Sequence, residues 1–448
     1  MDYNNTDIII ARATPIGKSA LAVIRMSGPA LKNILLKIFP KHEFVSQQAT
    51  LKKIKTLNSR VVLDSCVIIF YQNPKSFTGE DMLEISCHGN DLNVNQIISE
   101  FISAGARQAY PGEFSYRAFK NSKIDLLQAE SIAAKISCNS NQYGVALQNL
   151  ENGSTSNKLH ELRKKIVHLK SIIEHELDFN EDEITHLSKS QIQKQFKEIN
   201  QEIIQIIDCS VSLQVMDTGY KVAIVGAPNV GKSTLFNKIV GFDRAIVTPV
   251  EGTTRDILEA SVQLKGVPFI FYDTAGYRST TDQIEGLGIK KTMDIIHKAN
   301  IILMLDPKDP KQKFNFLFNK NKLNQTVIFV KTKCDQKSHP KQNKDEFDIS
   351  CKNDIGINKL LTEILTTLNM QDFGSFNNIA LCNQRQIKLL SESQNNLKTI
   401  LKGLDNNVEM DIIASLSQEV VSLIEEMLGK ITSNEILNNI FKGFCVGK

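Results

Sequence analysis

The stretch Val222-Ala-Ile-Val-Gly226-Ala-Pro-Asn-Val-Gly231-Lys232-Ser233-Thr234-Leu235 decides the fold. Its first four residues are apolar and read as a strand, and Leu235 and Ile239 open an amphipathic helix. Between them the glycines free the backbone to close its N–H groups around phosphate oxygens, and the helix N-terminus adds a partial positive charge. Lys232 is placed to reach the β- and γ-phosphates of a nucleotide, and the Ser233 hydroxyl to ligate Mg2+. Asn229, Val230, Gly231 and Thr234 complete the phosphate-binding set.

Outward from this loop, strands and helices alternate from Lys221 to about Leu368. Val222–Val225, Pro268–Tyr272, Asn300–Leu305 and Thr326–Lys331 are the clearest strands. The alternation predicts a parallel sheet with helices on both faces. Asp273-Thr274-Ala275-Gly276 closes the second strand, where an aspartate holds a magnesium shell and a glycine N–H senses the γ-phosphate. Between the two motifs lies Gly252-Thr253-Thr254-Arg255-Asp256, where a switch loop offers a threonine, Thr254, to Mg2+, and Thr248, Pro249, Val250 and Glu251 before it join the expected nucleotide-binding set. Thr332-Lys333-Cys334-Asp335 follows an apolar strand, and Asp335 can accept both the N1–H and the exocyclic amine of guanine, a pair that adenine does not present. Ser350-Cys351-Lys352 stands where a backbone amide meets the guanine oxygen. Most guanine sites have Asn where Thr332 stands, so one amide contact is removed. GTP rather than ATP is the expected nucleotide.

At 448 residues the whole chain is too long for one core. Residues 1–120 alternate short apolar runs with turns. Asp7–Arg12, Ala20–Met26, Cys66–Tyr71 and Met82–Cys87 read as strands and Asn93–Ala104 as a helix. Farther on the period becomes helical, through Leu159, Leu162, Ile166, Leu169, Ile173 and Leu177, then Ile192, Phe196, Ile199, Ile203 and Ile206. The acidic break Asp178–Glu183 between them lacks the glycine and alternating ligands of a calcium loop and reads as a solvated turn. Ile413, Leu416, Val420, Leu423 and Met427 mark another helix. The predicted fold is multidomain: an N-terminal α+β domain (1–120), an all-α helical domain in two parts (121–215 and 371–448), and an inserted α/β P-loop GTPase domain (216–370).

Lys and Arg number 53 against 49 Asp and Glu, a net charge of +4 that permits an RNA partner without arguing for one. The eight cysteines are scattered without a C-x-x-C, so a disulfide framework and a zinc ribbon are both excluded, and a reducing, cytoplasmic setting is expected. The N-terminus lacks a signal peptide, and no apolar run approaches the ~18 residues of a membrane span. Cys87 and His88 are neighbours on a strand, so their side chains face opposite ways and share no metal. Gly17-Lys18-Ser19 is no second phosphate loop, because Arg12 stands where its first glycine is needed.

Further segments carry a resemblance. They are Ala13-Thr-Pro15, Ile24-Arg-Met-Ser-Gly-Pro29, Ser76-Phe-Thr-Gly-Glu-Asp81, Cys87-His-Gly89 and Pro111-Gly-Glu-Phe114. Arg117-Ala-Phe119, Lys123-Ile-Asp-Leu126, Gln128-Ala-Glu130 and the closing Phe444-Cys-Val-Gly-Lys448 extend the set. With the central loop they resemble the tRNA-modifying GTPase family MnmE, also called TrmE, over essentially the whole chain. The departures are Gly17-Lys-Ser-Ala20 for Gly-Arg-Gly-Gly, Asn90 for the last glycine of Cys-His-Gly-Gly, and Asp217-Thr-Gly219 for Arg-Glu-Gly.

The resemblance implies a homodimer built on an N-terminal domain that binds a tetrahydrofolate derivative, 5-formyl- or methylene-substituted. With the FAD-containing MnmG, in a heterotetramer and away from any membrane, it implies modification of carbon 5 of the wobble uridine of certain tRNAs. The folate would supply the one-carbon unit, and GTP hydrolysis would depend on K+. Carried over by position, Arg25, Glu84, Lys123 and Lys448 are the implied folate contacts. Asn229, Thr248, Val250 and Thr253 would hold K+, and Ser233 and Thr254 Mg2+. Glu285 would orient the attacking water, with Lys232 and Arg255 beside it in catalysis, and Cys445 would serve tRNA modification. Two other readings remain open: a ribosome-assembly-type GTPase, and a non-catalytic scaffold that binds GTP and folate.

Overall fold

The computed structural model describes residues 6–40, 42–138, 140–178, 188–242, 258–264, 267–273, 293–317, 325–336, 346–367, 379–430 and 433–447. The chain divides into two units, one of residues 1–137, 147–207 and 381–448, the other of residues 138–146 and 208–380.

In the first unit a six-stranded sheet has the order β3-β4-β5-β2-β1-β6. Its strands are β1 (Ile9–Arg12), β2 (Ser19–Ser27), β3 (Ala49–Lys55), β4 (Val62–Tyr71), β5 (Met82–Gly89) and β6 (Arg107–Gln108). All neighbours pair antiparallel except β1 with β6. Alternation explains the face each strand buries: along β4, Asp64, Cys66, Ile68 and Phe70 point inward. Helices Leu31–Ile38 and Asp91–Ser103 cover that face with Leu31, Ile34, Leu35 and Ile38, and with Val94, Ile97 and Phe101. Helix Leu31–Ile38 and strand β3 are elements that the spacing of the sequence does not predict. β3 buries only Ile54 and carries three lysines, the pattern of a guarded edge strand rather than a core one.

The departures from the family pattern here are accommodated locally. Asn90 sits at an extended φ of −105° and its side chain accepts the Leu92 N–H, so it caps helix Asp91–Ser103 where a glycine would leave the end uncapped. Ser19 Oγ donates to the Leu21 carbonyl at 2.8 Å.

A buried charge network ties this domain to helix Glu113–Lys120. Arg117 is fully buried and reaches Asp7 at 2.7 Å, Glu80 at 3.1 Å and Glu113 at 3.2 Å. Arg107 pairs with the same Asp7 and Glu113, at 2.7 and 2.6 Å. Glu113 also accepts the Tyr110 N–H.

The helical part of this unit contains Ser154–Asp178, the first two-thirds of Lys189–Thr218, Gln384–Asp405 and Met410–Met427. Leu159, Leu162, Ile166, Leu169 and Ile173 are buried as the period predicts, as are Ile192, Phe196, Ile199, Ile203 and Ile206. In Met410–Met427 the buried stripe runs through Ile413, Ser417, Val420, Ile424 and Met427, and Leu416 and Leu423 lie at its margin. Asp178 closes its helix, and the rest of the acidic break lies outside the described residues.

The second unit is built on a sheet of order β12-β11-β10-β7-β9-β8. Its strands are β7 (Tyr220–Gly226), β8 (Leu258–Leu264), β9 (Val267–Asp273), β10 (Ile301–Asp306), β11 (Thr326–Lys331) and β12 (Glu346–Asp348). Five are parallel, and the central β7 and β10 are near-continuous apolar runs, as burial on both faces requires. The expected all-parallel sheet needs one correction, since β8 pairs antiparallel with β9. Only two residues separate them, far too few for a crossover, so a hairpin is forced.

Candidate functional site

Strand β7 lies between β9 and β10 and delivers its C-terminal end to the phosphate loop. A side chain at Gly226 would bring its Cβ to 2.4 Å from the Leu305 carbonyl oxygen, so only glycine fits between the strands. Gly231 holds φ at +104°, a conformation that other residues resist. Helix Lys232–Phe242 follows, with Ser233 and Thr234 exposed at its first turn. The Lys232 side chain is buried and turns back to donate to the carbonyls of Gly226 and Ala227, each at 2.8 Å. Burial pulls its ammonium below the usual range, and the carboxylate of Asp273 opposes the shift. Asp273 is buried at the end of β9, in register with Ile224 of β7.

The base-reading segments meet at the end of β11. Lys333 adopts φ +59° and its ammonium donates to the Asn229 carbonyl at 2.9 Å, which ties this loop to the phosphate loop. Asp335 accepts the Ser350 hydroxyl at 2.7 Å. That bond, then its own backbone N–H and the charges of Lys352 and Lys333, hold its carboxyl below the ordinary range. It is therefore an acceptor only, the state needed to receive two guanine N–H groups. Ser350 and Ile355 exchange both backbone bonds at 3.0 Å, and Cys334 N–H donates to Ile349 O at 3.2 Å, so the two segments are held side by side. Burial pushes the Cys351 thiol up, leaving it a neutral filler. Thr332 is buried, and its hydroxyl oxygen has no hydrogen-bond partner among the described residues.

A second site lies in the first unit. A cavity of about 510 Å3 is lined by Arg25, Tyr71, Phe77, Met82, Glu84 and Lys123, among others. Arg25 is held by Glu84 through two bonds, at 3.0 and 2.7 Å, and stands 5.7 Å from the Phe77 ring centre. The Tyr71 hydroxyl donates to the other Glu84 oxygen at 3.3 Å. The C-terminal tail touches one wall residue, since Arg25 donates to the Gly447 carbonyl at 3.3 Å; outside the lining, Gly112 N–H donates to the Cys445 carbonyl at 3.3 Å. Cys445 itself is exposed. Neither Gly17–Ala20 nor Asn90 is in the lining.

A family model for the MnmE helical domain matches residues 126–445, and one for the GTP-binding protein TrmE N-terminus matches residues 8–123. The chain belongs to the MnmE family of tRNA modification GTPases. The tRNA modification GTPase MnmE of Cytophaga hutchinsonii is 34% identical over 455 residues, covering 99% of this chain and 98% of that protein. That of Flavobacterium johnsoniae is 34% identical over 466 residues, covering 99% and 100%. That of Coxiella burnetii is 32% identical over 460 residues and spans both chains fully. Among solved structures, Era with MgGDPNP and a 16S ribosomal RNA fragment is 24% identical, covers 40% of this chain and 66% of that one, and has a TM-score of 0.28.

Of the residues that the MnmE resemblance singles out, the structure gathers Asn229–Thr234 with Asp273, and Thr332–Asp335 with Ser350–Lys352. It gathers Arg25, Glu84 and Lys123 around one cavity. Thr248, Pro249, Val250, Glu251, Gly252, Thr253, Thr254, Arg255, Thr274, Ala275, Gly276, Glu285 and Lys448 lie outside the described residues. Sequence reasoning missed Tyr71, Phe77 and Met82 as cavity walls. Phe77 lies within the quoted Ser76–Asp81 segment, but nothing in its spacing shows which way the ring turns.

Among the described residues no helix is long and apolar enough to cross a membrane.

Proposed function

We propose that this chain is a potassium-dependent GTPase that works as a homodimer with an FAD-containing flavoprotein of the MnmG type. On this reading it uses a tetrahydrofolate one-carbon unit to install a carboxymethylaminomethyl-type group at carbon 5 of the wobble uridine of certain tRNAs. The observation that carries the reading is the hydrogen bond of the C-terminal tail, at Gly447, to Arg25 of the Arg25–Glu84 cavity, in a chain that also places Asp335 and Ser350 together after a phosphate loop.

The residues present suit the groups they would hold. Lys232 already satisfies two carbonyls, and it can exchange them for β- and γ-phosphate oxygens without moving its helix. Ser233 with Thr254 suits Mg2+, and Asn229 with Thr248, Val250 and Thr253 suits K+. When bound, the two ions supply positive charge where the phosphates gain negative charge. Asp335 reads the base, the Gly276 N–H senses the γ-phosphate, and Glu285 orients the attacking water. In the other site the Glu84 carboxylate accepts a pterin amine, and Arg25, Lys123 and Lys448 take carboxylates. A cavity of about 510 Å3 is within the range of small-molecule sites. The folate, when bound, supplies the carbon that reaches the uridine.

Two measurements test this function. GTP hydrolysis is expected to be faster in KCl than in NaCl at equal ionic strength, and equal rates would remove the potassium dependence. Deleting the gene is expected to remove the wobble-uridine modification from cellular tRNA, as read by nucleoside mass spectrometry.

A further inference from the structure

The cavity of the first unit has a charge pattern that extends beyond the Arg25–Glu84 pair, to Lys75 as well as Lys123. Two carboxylates line it, and each already has a cation: Glu84 pairs with Arg25 at 2.7 Å, and Glu151 with Lys135 at 2.7 Å. Lys75 and Lys123 line the same cavity, are exposed, and form no ion pair among the described residues. The inner wall of Tyr71, Phe77 and Met82 with the balanced Arg25–Glu84 pair is therefore near neutral, and the mouth carries two unmatched positive charges.

Lys123 is built into its place. Its Nζ donates to the Pro74 carbonyl at 3.1 Å, which sets it beside Lys75 in the chain. Gly79, at φ +77°, passes under its stem, where a Cβ would stand 3.1 Å from Lys123 Cγ and 3.3 Å from Cδ. One carboxylate at the mouth would satisfy one ammonium. Two lysines lining one cavity match a ligand whose carboxylates repeat along a chain.

We propose that Lys75 and Lys123 form a subsite for the poly-γ-glutamyl tail of the folate, so that the pocket prefers conjugates with several glutamates to the monoglutamate. The inference rests on the folate reading of this cavity. Each added γ-glutamyl unit brings one carboxylate, and a solvent-exposed pairing of this kind is worth at most about fivefold in affinity. The gain comes from charge, so it is screened by salt and demands a cation rather than a particular side chain.

The test is calorimetric titration of the full-length chain with 5-formyltetrahydrofolate carrying one or three glutamyl residues. At low salt the triglutamate should bind roughly tenfold more tightly, and the ratio should fall toward one near 1 M salt, where the screening length is about 3 Å. Lys75→Ala should reduce the ratio, Lys75→Arg should keep it, and the double change Lys75→Ala with Lys123→Ala should bring it to one. Equal affinities for the two ligands in the unaltered chain overturn the tail subsite and leave the folate reading standing. A full ratio retained by the double variant overturns it too, by placing tail recognition elsewhere. Absence of binding by either ligand removes the folate reading itself, and the subsite falls with it.

Discussion

Position 332 has a hydroxyl where guanine sites usually have an amide, and that hydroxyl is buried without a partner among the described residues. A buried polar group left unsatisfied costs about 1–3 kcal/mol. Thr332→Asn is expected to tighten GDP and GTP by about tenfold, near 1.4 kcal/mol, by restoring the missing amide. Thr332→Val keeps the shape and deletes the orphan, so it should raise Tm without tightening the nucleotide. Titration with a fluescent guanine nucleotide, alongside thermal melts, separates the two effects; an Asn variant no tighter than the parent would sink the argument. Glu285 is the other single residue that carries weight. A side chain that only positions water acts in the transition state, so Glu285→Ala should lower the hydrolysis rate and leave nucleotide affinity nearly unchanged. Lost GTP binding in a folded variant would mean that the role is misassigned.

The C-terminal tail is the element that joins distant parts of the first unit. A Cβ at Gly112 would lie 2.4 Å from Phe441 O, and one at Gly447 would lie 2.4 Å from Arg12 O, so tail and domain approach too closely for larger residues. Phe441 packs edge-on to Tyr116 at 5.5 Å and is fully buried, which anchors helix Asn434–Lys442 just before the tail. Cys445 stands three residues beyond the helix end at Lys442 and is exposed. Serine keeps its size and is a far weaker nucleophile, so Cys445→Ser probes chemistry rather than packing. The variant is expected to lose the wobble modification and to retain potassium-stimulated GTP hydrolysis. Normal nucleoside levels in cells carrying only that variant would leave Cys445 without a chemical role.

At the scale of the whole molecule, stability of the first unit leans on the Arg107–Arg117–Asp7–Glu113 network. Arg117→Leu would leave Glu113 buried with one cation fewer, and removing one partner of a buried pair costs about 3–5 kcal/mol. A urea midpoint measured by a probe in this unit should fall accordingly. The network also sets an acid limit. Burial pushes the Asp7 carboxyl up, but Arg107 and Arg117 outweigh it and hold the carboxyl below its ordinary range. Its folded pKa is thus depressed, so its contribution is complete above the unfolded value of about 3.9 and is lost as pH falls through the folded value. Unfolding midpoints taken between pH 7 and pH 3 should drop below about pH 4, and Asp7→Asn should flatten that drop.

Much of the molecule was legible without coordinates. The phosphate loop, the strands β7, β9, β10 and β11, and the long helices announce themselves through spacing and period, which depend only on neighbours along the chain. The hairpin of β8 and β9 is not among these, because β8 pairs antiparallel at the sheet edge, outside the alternation of strand and helix. What the sequence alone could not decide is what residues far apart do on meeting. Tyr71, Phe77, Lys123 and Glu151 surround one cavity only because sheet, loop and helix converge there, and the free charge of Lys75 is visible only once Glu84 and Glu151 are seen to be paired. Arg117 is buried because Asp7 from one end of the chain and Glu80 from a loop arrive to neutralise it, which no local spacing announces. Local order follows from covalent neighbourhood and hydrophobic period; charge balance and cavity shape follow from long-range packing, and these only the tertiary structure decides.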